Sequence, residues 1–157
     1  MRKLLQTLLF SGFICCAARA DAQDARLYKN AYGGRFEFGY DSWVGVSWKH
    51  LYTAHHGTEL SVLFGTLTTV LNAEYQFNGR FKGVHSLQWV AGVGGALALY
   101  KVYDNPNDVF IRPILGIETK VKGTALDLGL EWRPMFNVSG NATNTAYRFS
   151  IPVRLAF

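Results

Sequence analysis

Tyr147-Arg148-Phe149-Ser150-Ile151-Pro152-Val153-Arg154-Leu155-Ala156-Phe157 carries an apolar side chain at every second position, with two arginines, Ser150, Pro152 and Ala156 between them. A side-chain period of two belongs to an extended strand, whose successive residues point to opposite faces. The stretch matches the ~9–11 residues with which a tilted strand crosses a bilayer, and its last residue is aromatic. A half-buried strand of a soluble sheet also alternates, but it has no reason to stop on Phe.

Similar alternation runs upstream in segments of about ten residues. A first strand near Gly34 to Tyr40 sets Phe36, Phe38 and Tyr40 against Arg35 and Glu37. A second, Trp43 to Tyr52, sets Val44, Val46 and Trp48 outward, and Thr53-Ala54-His55-His56-Gly57 is expected to turn the chain. A third carries Leu60, Val62 and Phe64. A fourth carries Leu71, Ala73, Tyr75 and Phe77 against Asn72, Glu74 and Gln76, with a turn expected at Asn78-Gly79. The fifth, His85 to Tyr100, opposes Leu87, Trp89, Ala91, Val93, Leu97 and Leu99 to the small Gly92, Gly94, Ala96 and Ala98. After the breaker cluster Asp104-Asn105-Pro106-Asn107-Asp108, a sixth sets Ile111, Leu115 and Ile117 against Arg112, Glu118 and Lys120. A seventh, beyond Lys122-Gly123, sets Leu126, Leu128, Leu130 and Trp132 against Asp127, Glu131 and Arg133. The polar run Ser139 to Asn144 leads into the eighth.

Eight strands return the chain to the side from which it started, and closing them satisfies the backbone edge that lipid could not. The charged faces mix both signs: Arg35, Lys49, Arg112, Lys120, Arg133, Arg148 and Arg154 with Glu37, Glu59, Glu74, Glu118, Asp127 and Glu131. Charges that can pair suit an interior. The apolar faces then look outward, the reverse of a soluble ligand-binding barrel. Aromatics near strand ends are expected to form interfacial girdles: Trp43, Tyr100, Phe110, Trp132, Phe136 and Tyr147 at the outer surface, and Tyr52, Phe77 and Phe157 toward the periplasm.

The N-terminus opens with Met1-Arg2-Lys3, an apolar run from Leu4 to Ala18, and small residues around Ala18-Arg19-Ala20 and Ala20-Asp21-Ala22. This is the pattern of a cleaved secretory signal peptide, ending after Ala20 or Ala22, and the run is shorter than the ~20 residues of a spanning helix. Both cysteines, Cys15 and Cys16, lie inside it, so the mature chain is expected to hold no disulfide or cysteine metal site. Ile14 before Cys15 argues against lipid attachment. Removing Arg2, Lys3, Arg19 and Asp21 lowers the net charge from +5 to about +3, too weak and dispersed for nucleic acid.

The sequence resembles the small outer-membrane β-barrel proteins grouped with OmpA and OmpX domains, and is most similar to short barrels of Bacteroidetes-type bacteria. Leu130-Glu131-Trp132-Arg133-Pro134-Met135-Phe136-Asn137 stands where their penultimate strand reads Leu-Asp-Trp-Lys-Pro-x-Phe-Asn, and Val46-Ser47-Trp48-Lys49-His50 matches an aromatic-Lys-His segment of their second strand. The resemblance implies an outer-membrane location, surrounding lipid as partner, and an assembly signal for the barrel-assembly machinery in Tyr147, Phe149, Ile151, Val153, Leu155 and Phe157. It carries over no catalytic residue.

Chemistry-bearing candidates are few. His55 and His56 are neighbours that a strand would point apart, and His50 and His85 sit near strand ends, so no metal set is expected. His85-Ser86 lacks the His-x-Ser spacing of lipid A-modifying barrels. Gly92-Val93-Gly94-Gly95 has no Lys-Ser/Thr after it and no strand–loop–helix context for a phosphate loop. Asn137-Val138-Ser139 and Asn141-Ala142-Thr143 read as loop residues.

The expected protein is therefore all-β: an eight-stranded antiparallel up-and-down transmembrane barrel. Residues 1–22 are expected to form the signal peptide, 23–32 a periplasmic segment and 33–157 the barrel. Arg112, Glu118, Lys120, Asp127, Glu131, Arg133 and Arg154 are expected to form a lumen charge network. No cofactor and no enzymatic activity are expected. A structural or envelope-stabilising role comes first, ahead of a surface-loop binding or adhesion module, a lipid-modifying enzyme or a small pore.

Overall fold

The computed structural model describes residues 26–101, 107–140 and 142–157, with the side chain of His85 left aside; the signal-peptide reading lies outside them. β1 (Asn30–Phe38), β2 (Trp43–Leu51), β3 (His56–Phe64), β4 (Thr68–Phe81), β5 (Val84–Tyr100), β6 (Asp108–Lys120), β7 (Leu126–Trp132), the two-residue β8 (Phe136–Asn137) and β9 (Phe149–Ala156) are the strands. β7 and β8 are one barrel strand interrupted at Arg133-Pro134. Pro134 has no N–H to give a ladder. The break is bridged by Arg133 N donating to Arg148 O at 2.8 Å and by the mutual pair of Met135 and Thr145. Each strand pairs antiparallel with the next, and β9 closes on β1, giving a sealed eight-stranded barrel.

The pairing fixes the barrel's geometry. Stepping across partners from Asp127 leads through Arg154, Gly33, Ser47, Ser61, Asn72 and Ala96 to Phe110. From the other side Asp127 pairs with Lys120. Phe110 and Lys120 stand ten residues apart on β6, so the stagger around the barrel is ten residues. With ~3.3 Å per residue and ~4.8 Å between strands, this stagger tilts the strands by roughly 40°. An eight-stranded barrel is narrow enough for its own side chains to fill the interior.

Facing follows the sequence parity. β9 alternates exposed and buried from Phe149 to Ala156, and Phe149, Ile151, Val153, Leu155 and Phe157 all look outward. Outward too are Val44, Val46, Leu60, Phe64, Ile111, Leu115 and Leu130, while the charged partners on those strands are buried.

Four expectations change. β1 begins at Asn30, so Asn30, Ala31 and Tyr32 belong to the barrel rather than to the preceding segment. Asn78-Gly79 is no turn: β4 continues to Phe81 and the two-residue loop is Lys82-Gly83, with Gly83 at φ +83°. Asn78 points inward and accepts from Lys49 at 2.9 Å, and Gly79 is the seat of the Trp89 ring, which a side chain there would strike. His56 and Gly57 open β3, because the turn before them is closed by Thr53 Oγ1 accepting from the N–H groups of His55 and His56. Trp43 and Phe110 are buried inside the barrel, and Tyr100 is half-buried against the same cluster, so these three are not girdle residues. Trp132, Phe136 and Tyr147 at one end, and Tyr52 and Phe157 at the other, are exposed.

Candidate functional site

The interior is the chemically distinctive part of the molecule. Its charged side chains come from alternate positions of the strands, where the pleat turns every second residue inward. Arg35, Lys49, Arg112, Arg133, Arg148 and Arg154 are buried with Glu37, Glu59, Glu74, Asp108, Glu118, Asp127 and Glu131. So many buried charges hold only if they are paired.

Pairing runs along the barrel without a break. Arg112, on β6, donates to Glu37 of β1 at 2.7 Å and to Asn72 Oδ1 at 2.7 Å. Glu37 also faces Arg133 at 3.3 Å and Arg35 at 3.9 Å. Arg133 binds Glu74, and Arg35 binds Glu59, in close ion pairs. Arg154 of β9 reaches three other strands: Glu59 on β3 at 2.8 Å, Asp127 on β7 at 2.9 Å, and Glu118 on β6. Glu118 is shared with Lys49 at 2.7 Å and Gln88 at 2.9 Å. Glu131 lies 3.5 Å from Arg35 and 3.4 Å from Arg133, and among the described residues neither of its oxygens accepts a hydrogen bond.

Six of the seven expected network residues thus meet: Arg112, Glu118, Asp127, Glu131, Arg133 and Arg154. Lys120 does not join them. It sits half-buried at the strand end, with Nζ 3.5 Å from the carbonyl of Leu27. Arg35, Lys49, Glu37, Glu59 and Glu74 complete the network, and each was legible by strand parity.

Apolar layers cap the charges at both ends. Tyr28, Ala31, Leu51 and Ala156, with Leu27 against them, close the end that carries the termini. Tyr28 hydroxyl lies 3.4 Å from Glu118, and burial, with that carboxylate beside it, pushes the phenol well above its ordinary range. Trp43, Leu63, Val70, Ala96, Ala98, Phe110 and Met135 close the other end. Arg148 lies over the Trp43 ring, 3.5 Å from its centroid, and pairs with Asp41 at the rim. Sequence reading missed both layers, although Trp43 and Phe110 share the parity of the inward Lys49 and Arg112.

The carboxylates of Glu59, Glu118 and Glu131 approach within 4.8 Å of one another. They are the same groups that Arg35, Lys49 and Arg154 neutralise, so a cation entering there would compete with three resident ones. The arrangement ties strands together across the barrel interior.

The chain matches no protein-family model and has no significant match among curated proteins.

Proposed function

We propose that the chain is an integral outer-membrane β-barrel whose plugged lumen makes it a structural, envelope-stabilising element rather than a pore or an enzyme. The observation that carries this reading is inverted polarity: apolar side chains outside on every full strand, paired charges inside. In water such an exterior would be a contiguous apolar patch far beyond the few hundred Å² that soluble monomers tolerate, whereas lipid demands it. Length agrees. The nine residues of β1, β2 or β3, tilted by roughly 40°, rise about 22 Å, near the ~25 Å apolar band of outer-membrane barrels. The likeness to small OmpA- and OmpX-type barrels supports the same reading.

The test is twofold. The chain is expected in the outer-membrane fraction as a barrel whose unheated and boiled forms migrate differently, and a strain lacking it is expected to become sensitive to detergent. Recovery in the soluble periplasm would contradict the location. Undiminished detergent resistance of the deletion strain would contradict the role.

A further inference from the structure

The two ends of the barrel differ sharply in surface charge. The end carrying the termini presents Arg26, Lys29, Lys82 and Lys122 exposed, with Arg80 and Lys120 half-buried. Among the described residues of that end no acidic side chain is exposed, because Glu118 and Asp127 are inside. The opposite end exposes Asp41 and Lys101. The basic groups are spread around the circumference, on the segment before β1, the β4–β5 loop and the β6–β7 turn.

On the outer wall at the same end lies a belt of rings and polar tips. Tyr32 stacks on Trp48, and His50 meets Tyr52 edge-on at 4.9 Å. His50 Nδ1 is held by Asn30 Oδ1 at 2.8 Å, and His56 Nδ1 by the Tyr75 hydroxyl at 2.6 Å. With Nδ1 engaged, each imidazole keeps Nε2 as its second ring atom. Next to the belt, a shallow apolar groove of about 600 Å³ runs over β1–β4, lined by Tyr32, Trp48, Val46, Leu60, Val62 and Leu71.

We propose that this end is a docking surface for anionic phospholipid in the leaflet nearest the termini. The phosphate would meet the basic rim beside His50, and an acyl chain would lie in the groove. Charge complementarity names the headgroup: basic residues at a membrane surface attract anionic lipid. The belt names its depth, since amphipathic rings settle at the headgroup level. A soluble acidic partner would use the rim but leave belt and groove unexplained. The inference rests on the membrane reading.

Its experiment uses the folded chain in phosphatidylcholine vesicles containing either brominated phosphatidylglycerol or brominated phosphatidylcholine at equal mole fraction. Tryptophan quenching reports contact, because Trp48 and Trp89 lie near the belt. The anionic lipid is expected to associate at least about three-fold more strongly than the zwitterionic one. The preference is expected to fall to unity in the triple variant Lys29→Gln/Lys82→Gln/Lys122→Gln, and at about 1 M salt, where charges are screened within ~3 Å. Lys101→Gln, at the other end, should leave it unchanged. Equal quenching by the two lipids in a properly folded barrel would overturn the inference and spare the membrane reading. Tight, salt-sensitive binding of soluble polyglutamate without lipid preference would also overturn it, and would assign the rim to an acidic soluble partner. A chain that fails to fold in the vesicles would overturn the membrane reading itself.

Discussion

Arg112 Nη2 donates to Glu37 Oε2 at 2.7 Å across the lumen, joining β6 to β1, two strands that share no backbone pairing. Such a contact ties the wall together from within. It also leaves a costly hole when only one partner is removed. Arg112→Met alone is expected to destabilise the barrel by about 3–5 kcal/mol, since the buried Glu37 loses its shortest ion pair. Adding Glu37→Leu should restore part of that loss, and only part, because Arg133 and Arg35 also face Glu37. Urea unfolding of the two single variants and the double variant in vesicles measures the coupling. Strictly additive losses would mean the pair is not formed.

Facing is tested by Leu130→Arg against Ser150→Arg. The first puts a charge on the outer wall in the middle of the β7–β8 strand and should cost roughly 2–4 kcal/mol near mid-membrane. The second enters the lumen beside Glu131, the register partner of Ser150, whose carboxylate is short of donors. The lumen variant is therefore expected to be the milder one. Equal stabilities would show that the assigned parity is wrong.

Assembly should depend on Phe157. Its N–H donates to Asn30 O at 2.7 Å, and its carbonyl accepts from Lys29 and Asn30, so the residue helps to close β9 on β1; on the proposed outer-membrane reading it is also the aromatic end of an assembly signal. Deleting Phe157 should leave most of the protein unassembled in the periplasm. Phe157→Ala keeps the backbone bonds and should cause a smaller loss, which separates the two roles. Normal outer-membrane levels of the deletion variant would contradict both.

Conduction is expected to be absent. Buried apolar clusters lie at both ends of the charge network, so on the proposed plugged-barrel reading planar bilayers holding the purified chain should show no reproducible current steps. A steady conductance that changed with Glu118→Gln would replace the plug with a pore.

Period-two alternation was enough to read the barrel, because each outward or inward choice is repeated along a strand and a slip would invert every side chain at once. It also found the charged lumen, down to the Arg154 and Glu118 that meet inside. What it misread were positions where a local rule was overridden by packing. Asn78-Gly79 has the composition of a turn, yet the Trp89 ring needs the bare Gly79 and Lys49 needs the Asn78 carbonyl. Trp43 and Phe110 have the residue type of a girdle, yet their parity sends them inward to close the lumen. The stagger of ten residues was not legible, since it depends on which residue of each strand faces which.

The central claim, a barrel that faces lipid outside and its own charges inside, is tested most directly at two adjacent residues of β2. A nitroxide spin label is attached in turn at Val46→Cys, outward and exposed, and at Ser47→Cys, inward and buried, in a chain with Cys15→Ser and Cys16→Ser, reconstituted in vesicles. Collision with oxygen, which concentrates in lipid, is compared with collision with a water-soluble nickel chelate. The account predicts that the label at Val46 meets oxygen freely and the nickel chelate hardly at all, while the label at Ser47 meets neither well. A label at Val46 that the nickel chelate reaches as readily as it reaches a water-exposed site would contradict it.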